Sequence, residues 1–153
     1  YKANNAQEVS EMWEQVKLKE KGGNKTVLAG IPESLPALVK AYRIQDKVAN
    51  VGFDWEKRED VWAKVKEEIA EFEVEVDHMD EAKATEEMGD LIFALVNAAR
   101  LYNIRPDNAL EKTNAKFIKR FNYIEQKAKE KGQSLNEMTL DEMEALWQEA
   151  KKA

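Results

Sequence analysis

The sequence predicts an all-α fold, an antiparallel helical bundle, and three observations carry that expectation. Apolar residues recur at three- and four-residue spacing through most of the chain. No alternating apolar-polar run of strand type interrupts them. The 6 Gly and 3 Pro are sparse and sit between the periodic segments. The connections left between long helices are short, which sets neighbours antiparallel.

Each element follows from these signals. A first helix covers roughly residues 6–21, and Gly22-Gly23-Asn24 ends it. Residues 26–33 read as a loop. Ser34 then caps a second helix, with Pro36 tolerated in its first turn, to about Asn50. Gly52 stops that helix, and Phe53-Asp54-Trp55 forms a turn. A third helix spans about residues 58–77, with Val61, Val65, Ile69, Phe72 and Val76 as its core-facing stripe. A fourth spans about 81–102. From Met88 to Ala99 it is apolar nearly all round, the mark of a central, buried helix. In so small a chain this suggests a second subunit over part of it, hence a homodimer. Pro106 opens a fifth helix, to about Lys131, with Leu110, Phe117, Phe121, Ile124 and Ala128 on one face. Gly132 ends it, and a last helix follows over about 140–151.

Composition narrows the function. The 153 residues suit one domain, with 35% charged and 43% hydrophobic residues in the proportions of a soluble globular chain. No apolar run approaches the length of a membrane span, and nothing at the start reads as a signal peptide. Cysteine is absent, which excludes disulfides and thiolate metal sites and fits a cytoplasmic location. A net charge of −6 argues against binding a nucleic acid polymer. Small phosphates remain open to an acidic protein when metal ions intervene.

The acids are concentrated. Between residues 67 and 81 lie Glu67, Glu68, Glu71, Glu73, Glu75, Asp77, Asp80 and Glu81, with His78 the one possible cation among them. Like charges at i,i+3 and i,i+4 oppose helix formation. At 100° per residue Glu68 lies about 40° from Phe72, at the edge of the apolar stripe, and Glu71 lies close by. In the fourth helix Glu86, Glu87, Asp90 and Asn97 interrupt the apolar run. A carboxylate there is costly unless paired or metal-bound. Two uses fit: ion pairs and solvated faces, or convergence of Glu68/Glu71 and Glu87/Asp90 on an oxygen-only site for Mg²⁺ or Mn²⁺. A di-iron site would need Glu-x-x-His pairs, and His78 lies off both.

The fifth helix has the opposite sign. Lys116 and Arg120 flank its stripe at i,i+4 and either grip phosphate oxygens or form a solvated face that pairs with the acids. Trp147 either packs the last helix down or offers a ring to a base, with Lys151 one turn on. No Gly-rich phosphate loop of the Walker or Rossmann type is present. Acids for a metal, cations for phosphate and an aromatic for a base together suggest metal-assisted phosphoanhydride hydrolysis.

At these residues the sequence resembles the MazG-type nucleoside triphosphate pyrophosphohydrolases. The matching stretches are Glu67-Glu68-Ile69-Ala70-Glu71, Glu86-Glu87-Met88-Gly89-Asp90 with Asn97, and Asn114-Ala115-Lys116-Phe117 with Arg120-Phe121. Val51-Gly52-Phe53-Asp54-Trp55 looks like the same family. The resemblance implies an α-helical dimer holding Mg²⁺ through Glu68, Glu71, Glu87 and Asp90. It implies that Lys116 and Arg120 contact the triphosphate and that Trp147 and Lys151 help close the nucleotide site. Asn97 and Asn114 match positions near that site. Glu68 or Glu71 would then orient or deprotonate the water that attacks the α-phosphorus, releasing monophosphate and pyrophosphate.

Trp13-Glu14-Gln15-Val16-Lys17 near the start echoes Trp147-Gln148-Glu149-Ala150-Lys151 at the end. Many members of this family carry two repeats in tandem. The expectation is that residues 1–33 are the tail of an upstream repeat plus linker, and that 34–153 form the catalytic domain. Two other functions fit the same residues. One is a non-catalytic helical module for dimerisation or nucleotide binding. The other is a narrower dUTP, dCTP or phosphoribosyl-ATP pyrophosphohydrolase.

Overall fold

A computed structural model of the chain describes residues 6–20, 26–78 and 80–153, without the side chains of 17–20. The described residues are helical with no strand. The elements are α1 (Ala6–Glu20), α2 (Ala37–Ala49), α3 (Val61–Asp77), α4 (Glu81–Leu101), α5 (Pro106–Glu130) and α6 (Leu140–Lys152). Short 3-10 turns, Arg58–Asp60 and Leu135–Glu137, precede α3 and α6. The expected stop at Gly22-Gly23-Asn24 and any part played by the Lys17 side chain lie outside the described residues.

The chain divides into two compact units, Tyr1–Asp107 and Asn108–Ala153. In the first, α3 and α4 form a helical hairpin across a short connection. Asp80 caps α4, its side chain accepting from the Lys83 amide at 3.1 Å. Val61, Val65, Ala94 and Ala98 make the buried centre of the hairpin, with Leu91, Leu101 and Tyr102 packed on it. Removing a valine-sized side chain of this kind from water stabilises a fold by about 1.5–3 kcal/mol. Asn103 takes φ 58° just after α4. There the Ile104 amide donates to the Ala99 carbonyl at 2.8 Å, so the helix stops and Pro106 starts the next.

α1 meets α2 through polar groups. Gln7 Nε2 donates to the Ala49 carbonyl at 3.1 Å. Ser10 Oγ donates to Asn50 Oδ1 at 2.9 Å, and Lys47 pairs with Glu14 at 3.4 Å. Trp13 stays 59% exposed.

In the second unit Ile124, Ala128, Met138 and Leu146 are buried, with Phe121, Leu135, Met143 and Trp147 packed against them. Thr139 caps α6, accepting from the Glu142 amide at 3.1 Å.

The structure departs from several expectations. Ser34 does not cap α2; the helix starts at Ala37, with Pro36 in the flanking position and no side-chain cap. A cap at Ser34 would have put Leu35 in the helix, and a residue before proline is pushed out of the α region. The third helix is α-helical only from Val61, because Arg58–Asp60 winds as 3-10. Its stripe is buried over Val61 and Val65 alone, since Ile69 and Val76 are exposed. Most consequential, α4 is not enclosed: Met88, Ile92, Phe93 and Leu95 are exposed in this chain, and so is Asp90. α2 and α3 cover only part of its circumference. The same holds early in α5, where Leu110 and Phe117 are exposed because the packing partners of that helix gather around Ile124 and Ala128.

Candidate active site

Two adjacent helices bring three carboxylates together. Glu68 and Glu71 stand one turn apart on α3, and Glu87 faces them from α4. One oxygen of each lies within 4.8 Å of the others. Glu68 is buried at 5% exposure, Glu87 is half-buried and Glu71 is exposed. Glu68 Oε1 takes an ion pair from Lys64 at 3.0 Å, one helical turn earlier. Glu68 Oε2 and Glu87 Oε2 are buried with no hydrogen-bond partner among the described residues.

An unpaired buried carboxylate oxygen is costly to leave unsatisfied. Three oxygen donors on rigid helices, two with an unused buried oxygen, fit a hard divalent cation such as Mg²⁺ or Mn²⁺. The repulsion is visible in the acids themselves. The Glu68 charge holds the Glu71 carboxyl above its ordinary value of 4.5, with burial acting the same way. A contact with Glu87 adds to this, because only a protonated Glu71 has a hydrogen to donate. A raised folded-state value gives stability that is present at low pH and is lost as pH rises through it. Metal-free protein should therefore lose stability from Glu71 as pH climbs out of the acid range. Glu71→Gln should flatten that slope, as thermal melts of both chains across pH 4 to 8 would register.

Metal addition gives a separate expectation. At a hundredfold excess over its dissociation constant, a cation on this trio stabilises the fold by about 2.7 kcal/mol, a rise in Tm of about 5–10 °C. Glu68→Gln should lose most of that rise. An equal Mg²⁺ response in both chains would place the ion elsewhere.

A cavity of about 660 Å³ adjoins these acids, and Glu68 and Asp90 are both in its wall together with Lys64. Asp90 thus shares a cavity with Glu68 while standing outside the close trio. The rest of the wall is largely apolar: Ile44 and Val48 from α2, Phe93 and Ala94 from α4, and Phe53 and Trp55 from the loop between α2 and α3. Gly52 lets the chain turn into that loop at φ 97°, where a side-chain-bearing residue would be strained.

Arg100 pins the loop to α4. Its guanidinium meets Asp54 at 2.6 and 3.2 Å, and it also donates to Asn97 Oδ1 at 2.8 and 3.2 Å. Asn97 is thereby occupied in orienting Arg100 at the cavity wall. Asp54→Ala would leave a nine-tenths covered guanidinium without its anion. The expected cost is about 1–3 kcal/mol in urea unfolding, with Asp54→Asn recovering part of it.

The other sequence-predicted residues lie in the second unit. Arg120 sits 5.4 Å over the Trp147 ring, and Phe117 lies 5.1 Å from that ring at a tilt. Trp147 thus serves the core of its unit with one side while Arg120 covers another. Lys116, Asn114 and Lys151 are exposed.

Gln45, Asp54, Arg100 and Lys64 are site residues that sequence reasoning missed. Lys64 carried a signal, since it precedes Glu68 by four on one helix face. The others are joined across 46 to 48 residues of chain, and no local pattern announces that register.

Comparisons with known proteins show the family. Residues 56–124, which hold all four predicted metal ligands, match the MazG nucleotide pyrophosphohydrolase domain. The chain is 43% identical over 154 positions to a nucleoside triphosphate pyrophosphohydrolase of Escherichia coli K12, covering 98% of this chain and 59% of that protein. It is 38% identical over 140 positions to the nucleoside triphosphate pyrophosphohydrolase/pyrophosphatase MazG of Thermotoga maritima, covering 91% and 54%. It is 48% identical over 144 positions to the Bacillus subtilis protein YabN, covering 92% and 29%. The chain thus spans under two thirds of the length of the curated relatives it matches.

Proposed function

This chain belongs to the MazG family, and on that premise we propose that it hydrolyses nucleoside triphosphates to monophosphate and pyrophosphate with Mg²⁺. The observation that carries the reading is Glu68, which belongs at once to the carboxylate trio and to the wall of the cavity. That position suits a nucleotide lying in the cavity with its phosphates toward the acids.

Glu68, Glu71, Glu87 and Asp90 are the residues to hold the ion, with Mn²⁺ as an alternative on the same oxygens. The chemistry that a bound ion supplies is charge neutralisation and Lewis-acid polarisation of phosphate oxygens. Glu68 or Glu71 orients the attacking water and receives its proton. The water oxygen bonds to the α-phosphorus as the α–β bridge breaks, and the bridging oxygen leaves with pyrophosphate. Lys116 and Arg120 are assigned to the triphosphate on charge, Arg120 through its planar fork. Trp147 and Lys151 are assigned to nucleotide closure and Asn114 to substrate binding. Asn97 contributes through Arg100, as a positioning residue.

Met88, Ile92 and Leu95 recur at helical spacing along α4 with their side chains exposed, and we take them to be covered by a second copy in a homodimer. No described helix is long and apolar enough to cross a membrane. The substrate class places the reaction in the cytoplasm on this reading. The test is product analysis after incubating the purified chain with each ribo- and deoxyribonucleoside triphosphate and Mg²⁺. Monophosphate plus pyrophosphate is expected; diphosphate plus phosphate would refute the reading.

A further inference from the structure

The cavity contains one polar group that neither the metal site nor the loop latch uses. Gln45 lies on α2, is 3% exposed, and lines the cavity. Its Nε2 donates to the Phe93 carbonyl at 2.9 Å. A carbonyl can only accept, so the amide cannot be turned the other way round. That orientation fixes Oε1 as the free end, and Oε1 is buried with no partner among the described residues. Around it the wall is apolar and aromatic, and Phe53 leaves 79% of its surface open. A flat ring would find hydrophobic cover here and, in Gln45 Oε1, a fixed acceptor that no described group occupies.

We infer that Gln45 Oε1 reads the nucleobase, accepting a hydrogen bond from an amino or imino N–H on its edge. The inference rests on the nucleotide reading above and adds what the base must offer. Adenine and cytosine present amino groups, uracil and thymine an imino N–H, and guanine both. An acceptor at this position therefore admits every common base and favours each over a ring that carries no such donor. Base selectivity is broad for this physical reason, and Gln45 is a specificity residue rather than a catalytic one.

The experiment measures binding, so that it does not depend on turnover. The full chain with Mg²⁺ is titrated with α,β-methylene triphosphates of two matched pairs. Adenosine is set against purine riboside, and cytidine against 2-pyrimidinone riboside; within each pair only the exocyclic amino group differs. Wild type is expected to prefer the amino-bearing ligand about 10- to 100-fold in Kd, and Gln45→Met to bind both members of a pair alike. A purely structural tie from Gln45 to α4 would lower the melting temperature in Gln45→Met and leave the preference intact. Equal wild-type affinities within each pair, or a preference that survives Gln45→Met, overturns the inference. The wild-type comparison decides even if the variant fails to fold. A folded wild type that binds neither pair overturns this inference and the nucleotide reading together. A Gln45-dependent preference without hydrolysis of ATP or CTP upholds the inference and removes the hydrolase reading alone.

Discussion

Glu68→Gln and Glu71→Gln are expected to lower Mg²⁺-dependent kcat by about 10²–10⁴ while the chain stays folded. Both roles assigned to these residues require a charged oxygen. A carboxylate can hold a cation and take a proton from water, whereas the isosteric amide does neither well. The two substitutions should differ in their side effects. Glu68 is buried and paired with Lys64 at 3.0 Å, so its amide leaves that lysine without its closest anion and some stability is lost. Glu71 is exposed and repelled by Glu68, so its amide should leave metal-free stability unchanged or improved near neutral pH. Steady-state kinetics with a thermal melt of each variant checks both parts. Asp90→Asn, which alters the same cavity from outside the trio, should show a smaller loss through KM for Mg²⁺.

The second large effect is expected at Arg120. Arg120→Ala should lower kcat/KM by about 10²-fold, and Arg120→Lys should recover only part of it, because an ammonium lacks the fork that meets two phosphate oxygens at once. Arg120 also covers the Trp147 ring at 5.4 Å, so a fold defect must be told apart from a lost phosphate contact. Salt and substrate series make the distinction. A lost phosphate contact weakens all triphosphates equally, whatever the base. A loosened second unit would instead appear as a lower melting temperature with unchanged kcat/KM below the transition. Lys116→Ala should act in the same direction with a smaller effect, since an exposed ammonium is well hydrated and makes a less directional contact.

The helices were legible because each depends on local signals. Periodicity places α3 to α6 within a few residues, and the turn at Gly52 was read from a residue that tolerates positive φ. The start of α2 falls later than its local signals predict because Pro36 constrains the residue before it, and a capping serine two places back cannot overcome that. Burial of α4 is legible only in part. Apolar composition says that a surface avoids water, but not whether the same chain or a second copy covers it. The Glu68/Glu71 pairing could be read because i,i+3 spacing puts both on one side of a helix. The part played by Glu87 needed only that the next helix run back alongside. The Arg100–Asp54 latch and the Gln45 amide lay beyond sequence reasoning, since both depend on the depth at which α2 and its loop meet α4.

The most direct test of the proposed chemistry is hydrolysis of a good triphosphate substrate in ¹⁸O-labelled water with Mg²⁺, followed by mass analysis of both products. Label in the nucleoside monophosphate and none in the pyrophosphate is expected if water attacks the α-phosphorus. Label in pyrophosphate would put the attack at the β-phosphorus and contradict the assignment of the carboxylates to the α-phosphate.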